Sequence, residues 1–294
     1  MPRNFIQLIK SKWGERKFVC VGLDSDYEKI PNHLKQTVRG LASHSKEIFR
    51  FNKAIIDTTK DLVCAYKPNS AFYEAYGDEG MRALKKTCDY ILKTAPTVPI
   101  ILDAKRGDID RTNEMYAKFA FDWLRADAIT VSPYLGEKSL SNFLARSDKG
   151  IIVLCKTSNE GSDEFQNLPL RQAGPLTTQD SPVYSQIARN VAEKWNKNGN
   201  CLLVVGATYP KELKEIRKIA GDLPLLIPGI GKQGGDLEAV IKNGQDSNGQ
   251  GMIINSSSGI IFASNDKNFA KKAREETLKL HKAISNLLGG PTSK

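Results

Sequence analysis

The 294-residue chain is short of the residue types on which several common chemistries depend. It has three histidines, His33, His44 and His281, and none closes an apolar run, so a histidine-based triad has little to build on. Its five cysteines (Cys20, Cys64, Cys88, Cys155, Cys201) are odd in number and include no C-x-x-C pair. Four of the five lie inside strand-like apolar runs, so disulfides and a zinc site are not expected and reduced buried thiols are. No apolar run approaches the roughly 18–20 residues that a membrane span requires. The opening residues, MPRNFIQLIKSKWGERK, interrupt their apolar positions with Asn, Gln, Ser and Glu, and read as an amphipathic helix rather than a secretion signal. A soluble cytoplasmic protein is expected. Also missing is any Pro/Gly/Ser-rich linker, so residues 1–294 read as a single domain with an N-terminal helix and a long C-terminal one.

Charge is not in short supply, and its net value is +10. Such an excess suits nucleic acid, a merely basic surface, or a pocket for an anionic substrate. The basic residues are scattered and form no basic aromatic platform, so neither a nucleic-acid nor a membrane partner is expected.

Short apolar, β-branched runs recur through the chain: FVCVGLD (18–24), LVCAYKP (62–68), VPIILDA (98–104), DAITVSP (127–133), GIIVLCKTS (150–158), CLLVVGA (201–207), PLLIPGIG (224–231) and GMIINSS (251–257). Each is nearly continuous in hydrophobicity, as parallel strands covered on both faces are. Helical periodicity fills the gaps at Lys46–Asp61, Glu79–Lys93, Thr112–Arg125, Val183–Asn198, Lys211–Ala220, Gly235–Lys242 and Asp266–Leu288. This alternation predicts an α/β protein, a single (β/α)8 TIM barrel, with a doubly wound open sheet as the competing arrangement. Between Ser158 and Pro182 runs a polar, turn-rich connection, NEGSDEFQNLPLRQAGPLTTQDS, long enough to be a lid, a binding loop or a mobile insertion.

The strand ends carry the chemistry. In a barrel the C-terminal ends of the strands form the active face. Here they bear Asp24, Lys67, Asp103, Lys105 and Ser158. In IILDAKRGDID (100–110) an apolar run ends in acid and base, and strand alternation points Asp103 and Lys105 the same way. Facing inward, they set a carboxylate and an ammonium on one rim of a confined pocket. A structural ion pair or a helix cap is the plainer alternative. Several ionisable groups at neighbouring strand ends favour function, because burying them is costly unless they pair.

PGIGKQGGD (228–236) contains G-x-G-x-x-G at Gly229, Gly231 and Gly234. A dinucleotide fingerprint would follow the first strand and be trailed by an acid about 20 residues on. Here the motif follows the seventh strand, and Ile253 and Ile254 stand that far downstream. The placement fits a barrel phosphate site, built by the loops after strands seven and eight, where glycine amides and a helix N-terminus meet an anion. A simple tight turn is the alternative. The hydroxyl-rich INSSSGIIFA (254–263) ends the eighth strand and offers donors to the same place.

Together, "DAKRGD", "VGLDSD", "YKPNSAFYE", "KTSN" and "PGIGKQGG" resemble the longer microbial branch of the orotidine 5'-phosphate decarboxylase family, from about Phe18 to Ala263. The resemblance implies a homodimeric, cofactor-free, metal-free barrel that converts orotidine 5'-monophosphate to uridine 5'-monophosphate and carbon dioxide. It implies that Asp103 sits beside the substrate carboxylate, that Lys105 donates the proton to C6, and that Lys67 holds Asp103 and contacts the ribose. Asp108 and Thr112 would cross into the partner's site, Asp24 would bind ribose hydroxyls and Ser158 the pyrimidine amide edge. Gln233 would bridge a closing loop to phosphate, with Gly231 and Lys232 nearby. One motif departs from the family: where its members usually read "SSRGI", this chain reads "SSSGI", with Ser258 in the arginine's place. A hydroxyl does not replace a guanidinium forked onto phosphate, so weaker binding and reduced activity are implied, with Lys232 a partial substitute. Two other readings stay open: the related magnesium-dependent barrels that use D-x-K-x-x-D on sugar phosphates, and a nucleotide binder disabled by Ser258.

Overall fold

Eight of the apolar runs become eight parallel strands in the computed structural model, which describes residues 3–35, 44–170, 181–231 and 234–289. They are β1 (Val19–Leu23), β2 (Ala65–Pro68), β3 (Ile101–Arg106), β4 (Ala128–Val131), β5 (Gly150–Lys156), β6 (Cys201–Val205), β7 (Leu225–Pro228) and β8 (Met252–Ser256). Their lateral order is β2-β1-β8-β7-β6-β5-β4-β3, so each strand lies beside its neighbour in sequence and the sheet curls into a barrel. The remaining junction, β2 to β3, is joined at two isolated points, Tyr66 with Ile100 and Asn69 with Asp103. The open-sheet alternative is thereby set aside. Every residue of β1, β2, β4, β6 and β8 is buried, which is why these runs lack polar alternation.

The helices sit near their expected places. His44–Thr59 packs on Gly77–Thr94, which buries Ala83, Leu84, Thr87, Cys88 and Ile91 on one stripe. Pro210–Ala220, Leu237–Gly244 and the closing helix Phe269–Leu287 complete the outer ring. Two helices differ in winding from a plain 3.6-residue period: Asp110–Ala117 continues as a π-type segment, Lys118–Trp123, and Val183–Asn190 as another, Val191–Trp195. In the long connection after Ser158 there is a short helix at Asp163–Gln166 and an antiparallel pairing of Pro169–Leu170 with Ser181–Pro182. Residues 171–180 of that connection lie outside the described residues. All five cysteines are free and buried.

The helix Phe5–Gly14 closes the floor of the barrel, opposite the strand ends that carry charge. Asn4 caps it, its side chain accepting from the Gln7 amide at 3.0 Å. Phe5, Ile9 and Trp13 are buried, and the Trp13 indole donates to the Met252 carbonyl at 2.7 Å, at the start of β8. Just before the helix, Arg3 grips buried Asp127 with two bonds of 2.7 and 2.8 Å, and Asp127 also accepts from the Ile100 amide. The N-terminal segment thus ties together the starts of three strands. Trp13→Ala is expected to lower the unfolding free energy by about 3–5 kcal/mol, read from urea melts, and a loss under about 1 kcal/mol would contradict this role.

Candidate active site

The chain leaves β3 through a distorted turn. Register with β4 shifts between Leu102 and Arg106, and Lys105 takes a left-handed backbone, φ +47°. Such a conformation is costly for a residue with a Cβ, and it tends to persist where the surroundings fix it for a purpose. Thr130 of β4 fixes it here, its hydroxyl oxygen accepting from the Ala104 and Lys105 amides at 3.0 Å each. The bend folds the Lys105 ammonium back onto the carboxylate two residues earlier.

Asp103 is the centre of the cluster. One carboxylate oxygen accepts from Lys67 Nζ at 2.6 Å; the other accepts from Lys105 Nζ at 2.7 Å and from Thr130 Oγ1 at 2.9 Å. Lys67, at the end of β2, is buried, whereas the Lys105 side chain remains half exposed at the pocket mouth. Burial alone would raise the Asp103 pKa, but Lys67 and then Lys105 hold it well below the usual carboxylate range. Burial alone would strip the Lys67 proton, yet Asp103 and Asp24 raise its pKa above an ordinary lysine's. Both partners therefore stay ionised, and the two directions agree.

Asp103, Lys67 and Asp24 line one wall of a pocket of about 190 Å3, with Asp24 beside Lys67. The opposite wall comes from the ends of β7 and β8: Pro228, Gly229, Ile230 and residues Asn255 to Gly259. Gly229 and Gly231 have φ of +103° and +104°, a geometry that glycine alone adopts freely. The Gly231 Cα faces the Ser256 hydroxyl, and the Ser257 hydroxyl donates to the Gly22 carbonyl at 3.1 Å. Ser258 opens a four-residue helix, Ser258–Ile261. Among the described residues lining this pocket, Lys67 is the one cation. Lys232 and Gln233 lie outside the described residues. A larger hollow of about 690 Å3, between Tyr134, Cys155, Phe165 and Ile187, holds none of the charged strand-end groups, so the smaller one is the candidate site.

Two expected residues stand apart from this cluster within the single chain. The Asp108 carboxylate accepts from the next amide, that of Ile109, and among the described residues no ion pair joins it to Lys105. Thr112 is exposed on the helix that follows. Ser158 lies past the end of β5, its Cβ packed close over Gly206. Sequence reasoning missed a companion. Lys156, two residues before Ser158, is fully buried; its ammonium donates to Ser162 at 3.0 Å and Asp163 at 2.5 Å and lies 4.2 Å over the Tyr209 ring. It fastens the start of the long connection to the barrel. The signal in the sequence is a lone lysine closing the apolar run GIIVLCK, as Lys67 closes its own run in LVCAYK.

Comparison with known proteins agrees with the architecture. The family model "Orotidine 5'-phosphate decarboxylase / HUMPS family" matches residues 17–273. An orotidine 5'-phosphate decarboxylase of Janthinobacterium sp. (strain Marseille) is 45% identical over 286 residues, covering 97% of this chain and 99% of its own. The OMP decarboxylase structure of Leishmania donovani superposes with a TM-score of 0.76 at 37% identity, covering 95% of this chain and 98% of that one. The UMP synthase of the same organism gives a TM-score of 0.79 at 38% identity over 96% of this chain, which spans 57% of its length.

The ion pairing sets a pH signature. Asp103 is depressed on folding, so its stabilisation is present above the unfolded carboxyl value of about 3.9 and is lost as pH falls below it. Lys67 is raised, so its share is present below about 10.4 and is lost as pH climbs beyond it. The difference in unfolding free energy between wild type and Asp103→Asn is expected to be flat from about pH 5 to 9 and to shrink below about pH 4. A difference that persists undiminished at about pH 3 would contradict the assignment.

Proposed function

The chain belongs to the orotidine 5'-phosphate decarboxylase / HUMPS family, and we propose that it converts orotidine 5'-monophosphate to uridine 5'-monophosphate and carbon dioxide in pyrimidine biosynthesis. The observation that carries this reading is the Lys67–Asp103–Lys105 array at one end of a pocket whose other end is a glycine and hydroxyl loop. One barrel, residues 1–294, carries the reaction, in the cytoplasm and without a cofactor. No helix among the described residues is long and apolar enough to cross a membrane.

In this mechanism the C6–carboxylate bond breaks, carbon dioxide departs, and the electron pair stays on C6 in the plane of the ring. The Lys105 ammonium faces that developing charge and then transfers a proton to C6, afterwards regaining one from solvent. Asp103 holds Lys105 in place and stands beside the substrate carboxylate, while Lys67 fixes Asp103 and contacts the ribose. Asp24 takes ribose hydroxyls and Ser158 the pyrimidine amide edge. Gly231, Lys232, Gln233 and Ser258 receive the phosphate, whose binding energy closes the loop and organises the charged array.

A homodimer completes the site, with Asp108 and Thr112 reaching into the partner's pocket. Support comes from their exposure and from apolar side chains left open around the same loops: Ile109, Met115, Tyr134 and Leu135. Ser258 leaves the phosphate end without the family's arginine, so this enzyme is a slow one with weak substrate affinity. Lys232 supplies part of the missing charge.

The direct test is loss of orotidine 5'-monophosphate absorbance without added metal, with Lys105→Ala inactive; wild type failing to release carbon dioxide would overturn the reading. Ser258→Arg is expected to raise kcat/KM about 10–150-fold, the equivalent of one charge-assisted contact of about 1.5–3 kcal/mol; an unchanged value would rule out the deficit. Lys105→Ala and Asp108→Ala homodimers are each expected to be inactive, and subunit exchange between them to restore activity. No recovery would mean that Asp108 serves only its own chain.

A further inference from the structure

We propose that Asn255, on β8, is a substrate-binding residue whose side-chain oxygen accepts a hydrogen bond from a sugar hydroxyl; this rests on the nucleotide reading above. Asn255 pairs in register with Cys20 of β1 and Pro228 of β7, just below the strand end. It lines the charged pocket and is 6% exposed. Its Oδ1 is buried, and among the described residues it has no hydrogen-bond partner. The same is true of one oxygen of Asp24, on another wall of the same pocket.

An unpaired buried acceptor loses its hydration with nothing in return, so folded proteins rarely keep one without reason. Two of them in one pocket of about 190 Å3 call for a ligand that presents at least two donors. The placement narrows the ligand chemistry. Asp24 lies by Lys67, near the charged end, and Asn255 directly precedes the hydroxyl run Ser256, Ser257, Ser258 at the phosphate end. Between the base and the phosphate of a nucleoside 5'-phosphate lies the sugar, whose neutral donors are a vicinal pair of hydroxyls. One hydroxyl goes to Asp24 and the other to Asn255.

The test is calorimetric binding of uridine 5'-monophosphate and its 2'-deoxy and 3'-deoxy analogues. With wild type, loss of either hydroxyl is expected to weaken binding on the order of 10-fold or more. With Asn255→Leu, the parent nucleotide should bind with that weaker affinity, and removal of one hydroxyl should no longer matter while the other still does. Asn255→Ser, a smaller change to the interior, should lose the same single dependence. Wild type indifferent to one or both hydroxyls would overturn the proposal, leaving Asn255 to a trapped water; so would variants that keep both dependences. Tight binding of the nucleotide with no hydroxyl dependence would sink Asn255 alone. Failure to bind the nucleotide or release carbon dioxide at all would sink the underlying reading with it.

Discussion

The structure turns on one carboxylate shared by two ammonium groups. Asp103 lies between Lys67 and Lys105, and among the described residues neither ammonium makes another ion pair. With Asp24 beside Lys67, two cations face two acids, so the group is balanced in charge and tightly coupled. Buried ion pairs contribute little net stability once desolvation is counted, so a trio of this kind is weak evidence for strength and better evidence for use. Removing Asp103 would leave two like charges facing each other in a poorly solvated place. Both lysines depend on it for their position, and buried Lys67 also for its charge.

The rest of the barrel serves that arrangement. β2 and β3 present Lys67 and Asp103 from adjacent strand ends, and the irregular exit of β3 turns Lys105 back towards them. Thr130 holds the turn from β4, so three consecutive strands build one charged wall. β7, β8 and their glycine and serine loops build the facing wall. Meanwhile the N-terminal helix fills the opposite end of the barrel, where Trp13 and the Arg3–Asp127 pair join strand starts far apart in sequence.

Much of this could be read from the chain alone, for physical reasons. Continuous apolar runs mean strands buried on both faces; each of the eight runs is a strand, and five are buried throughout. The two-residue alternation predicts Asp103 and Lys105 on the same side; the two do meet, but through the left-handed bend at Lys105 rather than through a regular strand. Other features gave no such signal. Thr130 looks like any β-branched residue inside DAITVSP, and nothing local tells that its hydroxyl fixes a turn on the next strand. Asn255 is a single amide in an apolar run, meaningful only once its oxygen is seen to lack a partner. The Arg3–Asp127 contact spans 124 residues, beyond any local pattern. The π-type windings cover only six and five residues inside longer helical runs, too short for sequence periodicity to register. Lys232 and Gln233, legible in the glycine motif, lie outside the described residues.

The joint between β2 and β3 has one more consequence. Backbone pairing there is confined to two isolated points, yet the Lys67–Asp103 bridge crosses it. Any sideways slip of one strand against the other would pull the paired charges apart before it disturbed the hydrophobic interior. Conversely, a ligand seated across the trio would stitch the barrel shut at a sparsely bonded seam. Occupancy of the pocket and heat tolerance of the scaffold are then two readings of a single mechanical linkage.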